Sequence, residues 1–226
     1  MQNVVPTSSG SGSSGPIDND TQELDRRLRN GDEEALGELF ATCRERLCRV
    51  VDFRLDERLR ARIDAMDVLQ ETFLAARSRL HHYAGSSYTS PFLWFRSILT
   101  QTLIDLHRRH VGAQMRNADR EVRLDDSPYS QATSTSMTLQ LVGDATSPAE
   151  AVARADMMEM MEQAIAGMDT IDREVLALRH FEELSNSETA EILGIKQKAA
   201  SIRYIRAIKR LRVLLAHASG YFRNPR

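Results

Sequence analysis

The chain has 226 residues, of which 42% are hydrophobic and 27% charged, and its formal net charge is −2. This balance is typical of a globular protein with room for one medium domain or two small ones. A pair of cysteines excludes a disulfide framework and a four-cysteine zinc site, and a near-neutral charge argues at first sight against binding to nucleic acid.

The chain offers no candidate for membrane insertion or export. No window approaches the roughly 20 apolar residues needed to cross a bilayer. The first residues have neither the basic start nor the apolar core of a secretory signal. We therefore expect a cytoplasmic protein with no membrane partner. Thr7 to Gly15 are almost wholly Ser and Gly, which predicts a disordered tail over 1–19.

Residues 20–112 are predicted to form a first helical domain. A short helix over Thr21 to Asn30 ends at Gly31, a residue suited to a helix C-terminus. Three further stretches place apolar side chains at the spacing of one helix face. Their members are Leu36, Leu39, Phe40, Cys43, Leu47 and Val50, then Leu69, Phe73, Ala76 and Leu80, then Phe92, Phe95, Leu99, Leu103 and Leu106.

Residues 113–147 are predicted to be a flexible linker. The segment is rich in Ser and Thr, contains Pro128, and has only scattered aliphatic residues. A long connection without helical or strand periodicity is usually a linker or a functional loop. The fold class that follows is all-α, with two small helical domains joined by this linker.

Residues 148–218 are predicted to form the second domain, followed by a tail over 219–226. Ser185 and Glu188 have the spacing of a capping box at the start of a short helix. That helix ends at Gly194, which can adopt the left-handed backbone of a tight turn. A longer helix follows, with the stripe Ala200, Tyr204, Ala207, Leu211 and Leu214 facing inward. The pattern indicates a helix-turn-helix.

The charge of the second domain is strongly polarised. Lys196 to Arg226 contain nine cationic residues and no acidic one, so the preceding residues carry −11 of the total. From Asp144 to Glu191 there are twelve acids against three arginines. A basic helix face is often simply solvated, but here it coincides with a turn glycine and a capping box. The combination favours a major-groove reader.

Nothing in the sequence indicates catalysis or a cofactor. No phosphate-binding loop is present, no nucleophile is placed beside a base, and His81-His82 has no partner at metal-ligand spacing. We therefore expect no catalytic residues, no metal and no cofactor. The Met157 to Met161 cluster has two interpretations, which are core filling and a docking surface for a partner protein.

Two motifs resemble the extracytoplasmic-function sigma factors of bacterial RNA polymerase. Glu174 to Ser185, followed by Glu188 to Ile195 and Arg203 to Ala207, resembles the domain of that family that reads the −35 promoter element. Asp67 to Phe73 resembles its polymerase-binding helix, and Phe92 to Phe95 its −10-element helix. The motifs stand in the family's order, and the resemblance covers about residues 20–217.

The resemblance implies that residues 20–112 are the region-two domain and residues 148–218 the region-four domain. The implied partners are core RNA polymerase, through its β′ clamp and β flap, promoter DNA, and an anti-sigma factor. The implied polymerase-binding residues are Asp67, Gln70 and Glu71. The implied −35 contacts are Lys196, Gln197, Lys198, Ser201, Arg203, Arg206, Lys209 and Arg210. The implied −10 contacts are Trp94, Arg96, Ile98, Gln101, Asp105, Arg108 and Arg109, with the loop Tyr83 to Ser90 helping to hold a flipped base. Trp94, Ile98, Gln101 and Asp105 share a face distinct from the predicted core stripe, although packing in the core stays open as the alternative for Trp94.

The expected function is promoter recognition and transcription initiation as a sigma factor. Two other classes stay open from the residues alone. One is a stand-alone helix-turn-helix regulator whose first domain senses or dimerises, and the other is an interaction protein that uses the methionine cluster. Binding to core polymerase separates them.

Overall fold

The computed structural model describes residues 16–111, 128–142 and 148–222. All regular structure in these ranges is helical, which confirms the predicted all-α class. The N-terminal unit (16–111) contains six helices, some of a single turn. They are α1 (Pro16–Arg29), α2 (Glu33–Arg54), α3 (Glu57–Arg60), α4 (Ala65–Ser78), α5 (Leu80–Tyr83) and α6 (Pro91–Val111).

One helix, α7 (Pro128–Val142), lies between the units. The C-terminal unit (148–222) follows it with α8 (Pro148–Ala166) and α9 (Thr170–Leu176), and α9 continues as a π-helical segment over Ala177–Phe181. The helix-turn-helix comes last, formed by α10 (Asn186–Ile192) and α11 (Gln197–Phe222).

Capping side chains fix where the helices begin. The Ser185 hydroxyl accepts a hydrogen bond from the Glu188 amide while the Glu188 carboxylate accepts one from the Ser185 amide, so the predicted capping box is confirmed. Asp64 and Asp67 form the same reciprocal pair at the start of α4. Gly194 has φ of +62° between α10 and α11, as the sequence predicts for this turn.

The N-terminal unit has a core built by the predicted apolar stripes of α2, α4 and α6. Leu36, Leu39, Leu69, Phe95 and Leu99 are all at most 2% exposed. Burial of this kind stabilises by roughly 1.5–3 kcal/mol for each large aliphatic or aromatic side chain. The same continuous cluster includes Leu178 and Leu184, which belong to the C-terminal unit.

The C-terminal unit has a second core, and this core in turn includes a residue of the N-terminal unit. Met161 and Ile165 of α8 pack with Ala207 and Leu211 of α11, which favours core filling for the methionine cluster. Phe53, from the end of α2, is buried in this second core. Its ring stacks on Phe181 with a centroid separation of 4.8 Å and an interplanar angle of 8°. The two units therefore pack directly against each other.

The structure differs from the prediction in the segment expected to be a linker. Helix α7 lies inside 113–147, and its Met137 and Thr138 are fully buried between the units. The Thr133 hydroxyl accepts a hydrogen bond of 3.0 Å from Arg54. The Ser/Thr content that suggested a linker is explained by these packed hydroxyls. The predicted tail over 1–19 and the rest of the predicted linker lie largely outside the described residues, and α11 extends past 218 to Phe222.

Candidate nucleic-acid and polymerase interfaces

Helix α11 presents its cations on a face opposite its packed stripe. Ala200 and Ala207 are buried against the rest of the unit, whereas Lys198, Arg206 and Lys209 are exposed. Small residues at the packed positions allow α10 and α11 to approach closely, so the cations stand clear of the core. Lys196 and Gln197 are exposed beside them, and Ser201 is half-buried.

Two of the predicted −35 contacts are already engaged within the protein. The Arg203 guanidinium donates to the Asp172 carboxylate at 3.0 Å and lies 3.5 Å from that of Asp169. Arg210 donates to the backbone carbonyl of Gly167 at 2.7 Å. These contacts hold α11 against the start of α9, so Arg203 and Arg210 position the recognition helix. Exposed isoleucines at 202 and 205, with 48% and 53% of their surface accessible, lie among the cations instead.

The prediction that Trp94 and Ile98 form an exposed base-binding face of α6 is wrong for this structure. Trp94 is 5% exposed and Ile98 is 3% exposed, and both belong to the N-terminal core. The Trp94 ring packs against Tyr83 at 4.6 Å and Phe95 at 5.2 Å between centroids. Helix α6 is apolar over more of its circumference than one stripe, because it is packed on several sides.

Arg96 is buried in an ion pair and cannot reach DNA in this structure. Its guanidinium donates two hydrogen bonds to Glu182, at 2.6 and 2.9 Å. Arg54 donates to the same carboxylate at 2.6 Å and also to Glu174. Burial would raise the pKa of Glu182, but the charges of Arg54 and Arg96 outweigh it and hold that pKa below its usual value.

The other predicted −10 contacts lie at the solvent-facing end of α6. Gln101 is exposed and donates to Asp105 at 2.9 Å, one turn along. Arg108 and Arg109 are also exposed. Arg109 pairs with Glu71 of α4 at 2.9 Å, so these polar groups form one surface with the predicted polymerase-binding helix.

The predicted polymerase-binding residues share one face of α4. A cavity of about 400 Å³ is lined by Asp67, Gln70, Glu71 and Leu74 from this helix together with Ile63, Leu106 and Arg109. Gln70 is exposed, and Leu74 has 55% of its surface accessible although it is a large apolar side chain. An exposed leucine beside acceptor groups is a suitable seat for a partner helix that carries arginine.

A second line of contacts, absent from the sequence prediction, joins the units at their surface. Arg46 donates to Glu188 at 2.8 Å and stacks over the Phe92 ring at 3.7 Å. Thr89, in the loop before α6, donates to the Glu191 carboxylate from both its amide and its hydroxyl. Charge pairs between distant segments leave no periodic signal in a sequence. The one available signal for the buried Arg54–Glu182 pair is that Arg54 falls in the apolar stripe of α2.

The cysteines and other candidate ligands form no reactive or metal centre within the described ranges. No group of three or more His, Cys, Asp or Glu side chains there could hold a metal ion. Burial raises the pKa of Cys43 to about 11, which keeps the thiol protonated near neutral pH. Of the helices that the structure describes, none is long and apolar enough to cross a membrane.

Comparisons with known proteins bear on both units. Residues 158–211 match the family described as sigma-70, region 4. RNA polymerase sigma factor NccH of Alcaligenes xylosoxydans xylosoxydans is 28% identical over 197 residues, which cover 86% of this chain and 94% of that protein. ECF RNA polymerase sigma factor SigD of Mycobacterium tuberculosis is 28% identical, over 84% of this chain and 82% of its own length.

A third relative matches over a shorter span. RNA polymerase sigma factor YlaC of Bacillus subtilis is 30% identical over 130 residues, and the chain covers 65% of its length. The match to region 4 coincides with the helix-turn-helix and the helices that support it. Residues 158–211 therefore form a sigma-70 region 4 domain, and over most of both units the chain is similar to sigma factors of the extracytoplasmic-function type.

Proposed function

We propose that this chain directs bacterial RNA polymerase to promoters by binding the core enzyme through α4 and reading −35 DNA through α11. A sigma factor is a recognition subunit and not an enzyme, and its place of work is the cytoplasm, where polymerase and promoter meet. The observation that carries the proposal is the coincidence of the region-4 match with a helix-turn-helix that exposes cations on one face.

The −35 contact is assigned to the exposed residues of α11. Lys198, Arg206 and Lys209 are spaced to face one groove and its flanking phosphates. Lys196 and Gln197 lie at the helix start, where a recognition helix meets base edges. Residues 196 to 212 include no acidic side chain, so a DNA duplex that approaches this helix meets a positive electrostatic potential.

The −10 contact is assigned to the N-terminal unit, with the strand held near the loop before α6. Gln101, Asp105, Arg108 and Arg109 supply polar and cationic groups farther along that helix, toward its C-terminal end. Trp94 and Ile98 support it from the core. Melting a duplex requires its bases to be held unpaired, which polar edges and stacking surfaces can do.

The polymerase contact is assigned to the α4 face, and an anti-sigma factor is the inhibitor that the same surfaces would accept. A rigid helix that presents Gln70, Glu71 and the exposed Leu74 suits an arginine-bearing helix of the polymerase clamp. Glu71 is engaged by Arg109 at a single exposed pair, which a partner arginine can replace at little cost.

Run-off transcription with purified core polymerase over a promoter library tests the proposal directly. The full chain is expected to produce transcripts from a subset of promoters that share a −35 and a −10 sequence. Gln70→Ala is expected to weaken binding to core polymerase while leaving the free energy of unfolding unchanged. A matched control is Gln22→Ala, a polar residue on α1 away from this face.

The competing function is a stand-alone helix-turn-helix regulator. That class predicts tight binding of the purified chain to a palindromic duplex and no retention of core polymerase in a pull-down. Such a result would replace the sigma proposal.

A further inference from the structure

Among the described residues, a set of polar contacts between the two units runs in one direction. The N-terminal unit supplies the donors, which are Arg46, Arg49, Arg54 and Arg96 together with the amide and hydroxyl of Thr89. The C-terminal unit supplies the carboxylates, which are Glu174, Glu182, Glu183, Glu188 and Glu191. The contact therefore places a row of cationic and N–H donors on the N-terminal unit opposite a row of carboxylates on the C-terminal unit.

The centre of this interface is a carboxylate held by two arginine forks. Arg54 and Arg96 both lie 2.6 Å from Glu182, and the side chains of Arg54 and Glu182 have no accessible surface. Paired guanidiniums bind a carboxylate and a phosphate diester by the same geometry, because both present two oxygens to parallel N–H groups. A buried pair of arginines also needs some anion at all times.

The edge of the interface repeats the arrangement in a more exposed setting. Arg46 is fixed flat on the Phe92 ring and donates to Glu188, while Arg49 lies 3.5 Å from Glu183. The amide and the hydroxyl of Thr89 each donate a hydrogen bond to one carboxylate oxygen of Glu191. A pair of N–H and O–H donors that converge on one anion is also a common way to hold a phosphate.

These groups lie at the start of α6, beside the loop to which the −10 strand is assigned, and Arg46 rests on the Phe92 ring there. Thr89 lies in the loop before α6, and Arg96 and Phe92 lie in α6 itself. We propose that Arg46, Arg49, Arg54 and Arg96 form a binding surface for the phosphates of single-stranded promoter DNA, and that the glutamates of the C-terminal unit occupy it in the free chain. This proposal rests on the sigma function proposed above and names the surface on which the melted strand runs.

A consequence is that the C-terminal unit must leave the N-terminal unit before the strand is bound. Leu178, Leu184 and the Phe53–Phe181 stack resist the separation. The apparent affinity for DNA is the affinity of the open form multiplied by the fraction of chains that are open. Core polymerase, by engaging both units, would supply the free energy of opening.

The first arm of the test removes the edge arginines from the holoenzyme. The double variant Arg46→Gln/Arg49→Gln and the control Arg26→Gln, an exposed arginine of α1 paired with Glu23, are each assembled with core polymerase. The probe is a fluorescent single strand that carries the −10 sequence of a promoter obtained by run-off transcription. The double variant is expected to lower the slope of log K against log salt by about 1.4, because each lost phosphate contact removes about 0.7. An unchanged slope overturns the proposal.

The second arm removes the competing carboxylates from the free full-length chain. Glu188→Gln/Glu191→Gln keeps the capping box, since glutamine serves at that position as glutamate does. The variant is expected to bind the same strand about threefold to tenfold more tightly than the wild type. The control is Glu159→Gln, an exposed change on α8. Equal or weaker binding by the variant contradicts the masking.

The two arms separate this inference from the proposed function. If the wild-type chain fails to bind core polymerase, the sigma function fails. The proposed phosphate-binding surface can then still be tested with the free chain, using an oligothymidylate strand of fixed sequence as the probe. The tighter binding of Glu188→Gln/Glu191→Gln must then be lost when Arg46→Gln/Arg49→Gln is added. If holoenzyme transcribes but neither arm responds, the function stands and the phosphate surface is wrong.

Discussion

The carboxylate of Glu182 lies 2.6 Å from the guanidinium of Arg54 and at the same distance from that of Arg96. The three side chains come from the segment after the π-helical turn, from the end of α2 and from α6, and all are buried. Because an unpaired charge in such a place is costly, this contact makes each unit depend on the other for the charge balance of its interior.

Replacing Glu182 is expected to destabilise the chain strongly. Glu182→Gln removes the charge that compensates two buried arginines, and we expect the free energy of unfolding to fall by about 3 kcal/mol. Urea denaturation followed by circular dichroism measures the change. The neighbouring substitution Glu183→Gln affects an exposed carboxylate 3.5 Å from Arg49 and is expected to cost less than about 1 kcal/mol. Equal effects of the two changes would contradict the role of the buried triad.

Acid is expected to weaken the fold through the same carboxylate. Burial opposes the charged form, but Arg54 and Arg96 hold the pKa of Glu182 below that of an unfolded glutamate. A depressed pKa in the folded state contributes stability above the unfolded pKa of about 4.3, and that stability is lost as the pH falls through the folded value. The free energy of unfolding, measured between pH 7 and 3, is therefore expected to fall below about pH 4.5. This decline with falling pH is expected to be shallower in Glu182→Gln than in the wild type. Identical pH profiles of the two proteins would exclude Glu182 as the source of the acid sensitivity.

Gly194 and Gly37 form a matched pair for testing the helix-turn-helix turn. A Cβ at either position would meet no atom within 4 Å, so neither substitution creates a clash. Gly194 has φ of +62°, and alanine there is expected to cost about 1–2 kcal/mol because L-residues disfavour that conformation. Gly37 lies within α2, and alanine there is expected to stabilise by up to about 1 kcal/mol. Thermal unfolding of both variants tests whether the stability falls in Gly194→Ala and rises in Gly37→Ala.

The local features of this fold follow directly from local chemistry in the sequence. The capping box at Ser185, the turn at Gly194 and the stripe of Ala200 and Ala207 each depend on residues within a few positions of one another. The bounds of α10 and the start of α11 accordingly lie close to those predicted.

The features that were missed depend on contacts between distant segments. Arg54 and Glu182 are 128 residues apart, and no spacing rule relates them. Helix α7 has little amphipathic character, because its buried groups are mostly hydroxyls such as Thr133 and Thr138. The burial of Trp94 has the same origin, since α6 is covered by partners that the periodicity of one helix does not reveal.

Arg206 and Arg203 are expected to respond differently to the same substitution, although they lie on one helix three positions apart. Arg206 is exposed, so Arg206→Gln is expected to lower the slope of log K against log salt for −35 duplex DNA by about 0.9, with stability unchanged. Arg203 pairs with Asp172 and Asp169, so Arg203→Gln is expected to loosen the contact between α9 and α11. Fluorescence anisotropy of holoenzyme on a −35 duplex, together with urea denaturation of each variant, separates the two roles. A loss of salt dependence in Arg203→Gln without a loss of stability would return Arg203 to the DNA-binding surface.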